Sequence, residues 1–328
     1  MESQPGTPEV TVVLPTHNRA DLVGEVVASA LGQREVAVEV IVVDDASDDD
    51  TARRLSAIGD PRLRVLRNET NLGVSGARNR GIEAARGLWI AFLDDDDLWA
   101  PNKLRTQLDA AGGVAAALVY TAALAVDEHR RVRRTLPAPD DQTIRAELLG
   151  GNRIGSPSCA MVRADALRRV GGFDPELSIL ADWDLWLRLL AIGPAAACPE
   201  PLVAYTEHEE NMHLAVGAML REYFAIRRKH VRLGTAGAAG LGDRLWWQWI
   251  ASGYRRKGRR LLAAGGYFFC AVRYRSRRDL RFAAAMLLGE RLVPVGPDWP
   301  SPPAPAQPDW LASHQAGSQR RSSSAAGG

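Results

Sequence analysis

Four consecutive carboxylates, Asp94-Asp95-Asp96-Asp97, directly follow the apolar run Leu88-Trp89-Ile90-Ala91-Phe92-Leu93. Acids that end a buried strand of an open α/β sheet emerge at the edge where ligands bind, and clustered there they suit magnesium or manganese on a diphosphate. A plainer reading stands beside this one, a solvated acidic turn capping the helix expected from Pro101. Asp44-Asp45 closes another apolar run, where a carboxylate can accept from a base N–H or a ribose hydroxyl while Ser47 or Asp48 caps the next helix. Pro15-Thr16-His17-Asn18-Arg19 sets polar side chains and backbone donors just ahead of a helix N-terminus, which suits an anion or nucleotide, although strand-to-helix punctuation alone accounts for the same turn. Arg78, within Gly73-Val74-Ser75-Gly76-Ala77-Arg78-Asn79-Arg80-Gly81, is able to grip a phosphate with two guanidinium arms or to serve as an ordinary surface arginine.

These residues need a scaffold, and the hydrophobic periodicity supplies one. Strands are expected at residues 10–14, 38–43, 63–66 and 88–93, with helices at 20–31, 48–58 and 74–85. Continuous β-branched runs separated by helices of that length argue for a parallel sheet covered on both faces, so that Asp44-Asp45 and the 94–97 run share one edge. Further on come a helix at 101–111, a strand at 116–121, a hairpin around 127–131, a strand at 158–162, a helix at 182–190 and a strand at 202–205. From Met212 the pattern is helical.

Four motifs in order, Pro-Thr-His-Asn-Arg, Val-Asp-Asp-Ala-Ser-Asp-Asp-Asp-Thr, Gly-Val-Ser-Gly-Ala-Arg-Asn-Arg-Gly and Phe-Leu-Asp-Asp-Asp-Asp, resemble those of family 2 glycosyltransferases, as do Gly171-Gly172-Phe173-Asp174 and Ala181-Asp182-Trp183-Asp184. The resemblance covers roughly residues 9–210. It implies a GT-A type α/β fold, a Rossmann-like mixed sheet flanked by helices, and an inverting enzyme that uses a nucleotide-diphosphate sugar and a divalent metal, Mn or Mg. It further implies that Pro15, Thr16, Asn18 and Arg19 border the nucleotide, with Asp44 or Asp45 at its base and ribose and Arg78, Asp94 and Asp95 also at the donor. Asp94 and Asp96 are then the two acids of the metal-binding Asp-X-Asp motif, His208 a contact at the diphosphate or metal, and Asp182 the general base. Such a base takes the acceptor hydroxyl's proton as one in-line displacement proceeds, with no covalent intermediate. Taken by itself, Asp182 reads as the N-cap of an amphipathic helix whose buried face holds Leu185, Trp186 and Leu189. The chain departs from the family pattern at Ala181, where a Glu is usual, and at Thr206, where an Arg is usual. By the same resemblance the loop 151–158 lies beside the acceptor or sugar pocket.

Composition bounds the rest. The 328 residues are 46% hydrophobic and 24% charged, with three widely spaced cysteines, which indicates neither a disulfide framework nor a thiolate zinc site. The turn after the first strand lacks G-x-G-x-x-G, which disfavours a dinucleotide oxidoreductase. No apolar run of about 18 residues and no signal-like N-terminus are present, so a cytoplasmic location is expected. The net charge of +2 hides eleven Lys or Arg against two acids, Asp279 and Glu290, in residues 253–292. Basic flanks around Leu261-Leu262 and Tyr267-Phe268-Phe269 suit peripheral contact with the inner face of a membrane, where a lipid-linked hydroxyl acceptor would lie. Against that stands a helical hairpin with its arginines in water. The expected organisation is a flexible N-terminus at 1–8, a catalytic domain at 9–211, a basic helical extension at 212–294 and a disordered tail at 295–328, rich in Pro, Ser, Ala and Gly. Two other functions remain open, a non-catalytic nucleotide-sugar-binding or scaffold protein and a nucleic-acid binder that uses the basic C-terminus. Nucleic acid is the less favoured partner, and its binding would be strongly salt-sensitive.

Overall fold

The computed structural model describes residues 7–207, 216–289, 293, 304–312 and 314. By contacts the chain divides into two compact units, one of Met1–Ile144, Arg153–His208 and Pro303–Gly328, the other of Arg145–Asn152 and Glu209–Pro302.

The first unit is built on a nine-stranded mixed sheet. In chain order its strands are β1 (Val10–Thr16), β2 (Val38–Asp44), β3 (Leu63–Arg67), β4 (Trp89–Phe92), β5 (Leu98–Trp99), β6 (Leu118–Val126), β7 (Val132–Leu136), β8 (Ala160–Arg163) and β9 (Ala195–Thr206). They lie in the order β3-β2-β1-β4-β8-β6-β9-β5, with β7 also paired to β6. β1 to β4 are mutually parallel, β8 runs against both β4 and β6, and β9 is parallel to β6. The carboxyl ends of β1, β2, β4, β6 and β9 therefore point the same way. Every residue of β1 and β2 is buried, as continuous β-branched runs covered on both faces require.

Helices α1 (Val23–Leu31), α2 (Thr51–Ser56), α3 (Gly73–Ala84) and α4 (Lys103–Ala111) join the first strands to those that follow. α3 lies so close to β1 that a Cβ on Gly81 would stand 2.4 Å from Val13 Cγ1, which is why a glycine occupies that turn of the helix. Helices α5 (Ile144–Gly150), α6 (Ala164–Val170) and α7 (Ala181–Leu190) come next, and α8 (Val216–Arg232), α9 (Arg244–Arg256), α10 (Arg260–Tyr274) and α11 (Arg277–Leu288) make up most of the second unit. The three cysteines, Cys159, Cys198 and Cys270, are buried free thiols.

Several helix starts differ from the sequence reading. Asp50, not Ser47 or Asp48, precedes α2; Asn102 precedes α4 and Leu180 precedes α7, none of them with a side-chain cap. Part of the tail expected to be disordered is placed. Leu311 is fully buried, Gln307 Nε2 donates to the Arg130 carbonyl (3.0 Å), Val132 N donates to Gln307 Oε1 (3.3 Å), and His314 Nδ1 lies 3.0 Å from Glu25 Oε1. A single amide that satisfies two backbone groups of a hairpin offsets part of the chain entropy that composition alone says is lost.

Lys103, at the start of α4, is fully buried, with its ammonium donating to Gln107 Oε1 (2.7 Å) and standing 3.9 Å from the Trp99 ring centroid. Burial pushes its pKa down from 10.5 to about 7. The folded state thus holds this proton more weakly than the unfolded chain does. The resulting penalty is present in full below the folded value and is relieved as pH rises through it toward the ordinary lysine range. Because Asp95 and Asp97 titrate with the opposite sign over the same range, the check is the difference: the stability of the chain relative to Lys103→Met in urea unfolding should rise by about 1–2 kcal/mol between about pH 6.5 and about pH 8.5. An equal change in the variant would assign it to other groups.

Candidate active site

The 94–97 run sits at the shared carboxyl edge and is held by three segments, the turn at 156–158, the end of β9 and the β6–β7 hairpin. From the 3₁₀ turn Pro157–Cys159, Ser158 Oγ accepts from Asp94 N (3.0 Å), and the Ser158 carbonyl accepts from Trp99 Nε1 (3.0 Å). Asp97 is fully buried, its Oδ1 accepting from Thr206 N at the end of β9 (3.0 Å) and its Oδ2 from Ser156 Oγ (3.2 Å). The Asp96 carbonyl accepts from Thr206 Oγ1 (2.5 Å) and from Arg130 Nη1 (2.8 Å), which reaches in from the β6–β7 hairpin and also donates to Thr206 Oγ1. The run is therefore no solvated helix cap. Sequence reading gave Arg130 no role, named Ser156 and Ser158 only as part of the loop 151–158 beside the acceptor or sugar pocket, and named Asp97 only as part of the acidic run. Only Asp97 carried a signal, as the acid directly before the apolar pair Leu98-Trp99.

Arg78 is buried and donates from Nη2 to Asp94 Oδ1 at 2.5 Å, with its guanidinium carbon 5.0 Å from the Phe173 ring centroid. Its buried Nε has no hydrogen-bond partner. Arg19 Nε stands 3.7 Å from Asp95 Oδ1. Asn18, in the left-handed region at φ 54°, latches the first turn to the second, its amide donating to Ser47 Oγ (3.0 Å) and its Oδ1 accepting from Asp48 N (2.9 Å). His17 Nδ1 lies 2.9 Å from the Asp45 carbonyl. Pro15 and Thr16 are buried in the last turn of β1, and Thr16 is paired in register with Asp44.

The two acids ending β2 have different surroundings. Asp44 is fully buried and occupied on both oxygens, by Ser47 N (2.9 Å) and Arg67 Nη1 (2.8 Å). Asp45 Oδ1 accepts from Asn68 Nδ2 (2.5 Å) and Leu72 N (2.9 Å), which ties β2 to the segment leading into α3.

The loop ahead of α7 is pinned to α3 beside Arg78. Asn79 donates from Nδ2 to the Phe173 carbonyl and accepts from Phe173 N, both at 2.8 Å, while Ser75 Oγ donates to the Leu177 carbonyl (2.6 Å). Gly172 has φ 70°, and a Cβ there would meet Asn79 Oδ1 at 2.6 Å, so a glycine is required. Asp182 is the second residue of α7 and not its N-cap; its Oδ1 accepts from Trp183 N (2.7 Å). Asp184, fully buried, is paired with Arg188 at 2.7 Å. Trp183 and Trp186 are wholly buried, which makes both core residues and neither a sugar platform. His208 lies outside the described residues.

Electrostatics single out Asp96. Burial raises the proton affinity of Asp94, against the opposing charge of Arg78 and aided by that of Asp96. Burial and then the Asp96 charge push Asp95 up to about 7, against the pull of Thr16 and Arg19. Asp97 is driven well above the usual carboxylate range by burial and by the charges of Asp96 and Asp94. A cation placed at Asp96 would relieve all three at once. Among the described residues no group of three or more His, Cys, Asp or Glu is arranged to hold a metal ion. The donor set fits an ion held by one or two carboxylates and completed by diphosphate oxygens and water, and it does not fit an all-protein cage.

Comparison with known proteins bears on the family and the fold. The model of the family described as "Glycosyl transferase family 2" matches residues 11–171. The chain is 48% identical over 109 residues to the succinoglycan biosynthesis protein ExoO of Rhizobium meliloti (strain 1021), a match covering 33% of this chain and 31% of that protein. It is 32% identical over 189 residues to TuaG of Bacillus subtilis (strain 168), whose name assigns it to teichuronic acid biosynthesis, covering 57% of this chain and 73% of TuaG. Among solved structures, a mannosyltransferase from Pyrobaculum calidifontis in complex with GDP-Man and Mn2+ superposes with TM-score 0.55 at 19% identity, covering 88% of this chain and 87% of that one. At that identity the likeness shows a shared fold, of the GT-A type. The edge that gathers the acidic run, the ordered motifs that build it and the extent of the match to TuaG lead to one assignment: the chain belongs to glycosyl transferase family 2.

Proposed function

We propose that this chain transfers a sugar from a nucleotide-diphosphate sugar to an acceptor hydroxyl in the assembly of a polysaccharide or glycolipid, with inversion at the anomeric carbon. The observation that carries the reading is the acidic run at the common strand edge, in which burial, aided by the charge of Asp96, raises three carboxylates while Arg78 is bonded to Asp94 beside them. The names of ExoO and TuaG support the product class, and the GDP-Man and Mn2+ of the archaeal neighbour support the donor class.

In this reading Asp45, with Thr16, Asn18 and Arg19, lines the nucleotide, and Asp44 holds the strand end through Arg67 and Ser47. Asp96 and Asp94 would hold a divalent cation, which would supply positive charge against that growing on the departing diphosphate. Arg78 offers its unpartnered Nε and a fixed positive charge on the same side. Asp182 takes the proton from the acceptor hydroxyl as that oxygen bonds to the anomeric carbon, while the bond to the diphosphate breaks and its electron pair leaves with the nucleotide.

Titration calorimetry with UDP, GDP and dTDP, with and without manganese, tests the donor site. One nucleotide should bind with manganese present, and Asp96→Ala should weaken that binding at least about tenfold, the effect of losing one charge-assisted ligand. If well-folded protein binds no nucleotide, the donor assignment is wrong.

A further inference from the structure

The second unit carries a surface that the sugar-transfer reading does not use. α10 buries one face, Ala263, Ala264, Tyr267, Cys270 and Ala271, against residues that include Ala251 of α9 and Phe282, Ala283 and Met286 of α11. Tyr267 and Phe282 stack with their centroids 5.0 Å apart, and a Cβ on Gly266 would meet Ala251 Cβ at 2.8 Å. A helix packed this way ordinarily turns polar residues to water. α10 instead exposes Leu261 (78%), Leu262, Phe268, Phe269 and Val272 (65%), and α11 exposes Leu280, Leu287 and Leu288. Positions 261, 268 and 272 share one helical face, with Gly265 between them, so the exposed side chains lie as a stripe along one side of α10.

Charge at the two ends of that stripe is of one sign. Lys257, Arg259 and Arg260 are exposed before it, and Arg273, Arg275, Arg277 and Arg278 after it. The only acid between Lys257 and Leu288 is Asp279, which is buried and bonded to Arg244 Nε at 2.8 Å. Between Lys257 and Leu288, then, the chain itself presents no exposed carboxylate. A second copy of the chain joined through the same patch would set arginines against arginines. A nucleic acid would satisfy the arginines and leave the apolar stripe in water. One surface accepts both components: apolar side chains enter the boundary between headgroups and acyl chains while arginines meet anionic phosphates. No described helix is long and apolar enough to cross a membrane.

We propose that α10, with the exposed edge of α11, lies flat on an anionic phospholipid bilayer. The stripe enters the interface and the basic residues at its two ends fix the helix parallel to the surface. Nothing in this depends on the donor site, and no nucleotide is needed to test it.

The test is co-sedimentation of the full chain with phosphatidylcholine vesicles and with vesicles that also contain phosphatidylglycerol. Two variants accompany it, Leu261→Ser/Phe268→Ser/Val272→Ser and Arg259→Gln/Arg260→Gln/Arg273→Gln, each altering only exposed positions and each checked by thermal melting. The expected result is binding to the anionic vesicles at least about tenfold tighter than to the neutral ones, with a loss of about tenfold or more in either variant. Equal binding to the two lipids overturns the proposal, as does binding that survives the apolar substitutions. Sedimentation velocity supplies a third way to overturn it: a dimer that binds no vesicles and dissociates in the apolar variant would make the stripe a self-association surface.

Discussion

Asp182→Asn should lower turnover about 1,000-fold while leaving nucleotide affinity nearly unchanged and folding stability within about 1 kcal/mol. General-base assistance contributes about 10²–10⁴ in rate, and the middle of that range is about 4 kcal/mol of barrier. The substitution is well suited to isolate the effect. Asn keeps an oxygen to accept from Trp183 N, as Asp182 Oδ1 does at 2.7 Å, but it cannot take a proton from a hydroxyl. Because Asp182 is in the first turn of α7 and is not its cap, the charge lost is one that favours the helix dipole by about 0.3–1 kcal/mol. Steady-state rates with the donor whose nucleotide binds in the titration measure the effect. Unaltered turnover would remove Asp182 from the chemistry. Asp184→Asn is the contrasting control. Its carboxylate is fully buried against Arg188, so its loss should appear in stability.

Arg78→Ala should cost about 3 kcal/mol of folding stability, the lower end of the range for removing one member of a buried ion pair. The lower end applies because a quarter of the Asp94 side chain is exposed (25%), whereas that of Arg78 is almost entirely enclosed (4%). The loss has two parts. Asp94 is left facing the like charge of Asp96 with no counter-charge, and Phe173 loses the guanidinium over its ring. Arg78→Lys should recover only part of the loss, since an ammonium keeps the charge but cannot reproduce the planar group. Urea unfolding of the two variants decides the matter. A change under about 0.5 kcal/mol for Arg78→Ala would mean that the pair is a surface-like contact.

The start of the sheet was legible because β1 and β2 are seven residues long, rich in β-branched side chains and buried on both sides, as a covered strand requires. β5 was not, since two residues, Leu98-Trp99, have no period to read. β9 begins seven residues before the expected 202, because the Ala- and Pro-rich stretch that opens it carries little strand propensity. In the site, the acids could be named because carboxylates are uncommon directly after apolar runs, and Arg78 because it sits in a glycine-rich motif at the start of a helix. The parts that hold them could not. Ser156, Ser158 and Arg130 are ordinary loop residues whose role depends on which carbonyl or carboxylate the topology brings near them. Thr206 shows the same limit from the other side. It stands where the family usually has an arginine, and a guanidinium reaches that spot from Arg130, 76 residues earlier in the chain.

Arg130 is also where the amino- and carboxyl-terminal parts of the first unit meet, since Glu25 lies 3.8 Å from its guanidinium and Gln307 takes its carbonyl across 177 residues. That separation sets a timetable for synthesis. At about 5–20 residues per second, roughly 10–35 s pass between the emergence of the hairpin from a ribosome and that of its clasp. For that interval the Arg130 carbonyl and the Val132 amide must rely on water, while the hairpin's own backbone bonds need nothing beyond residue 136 to form.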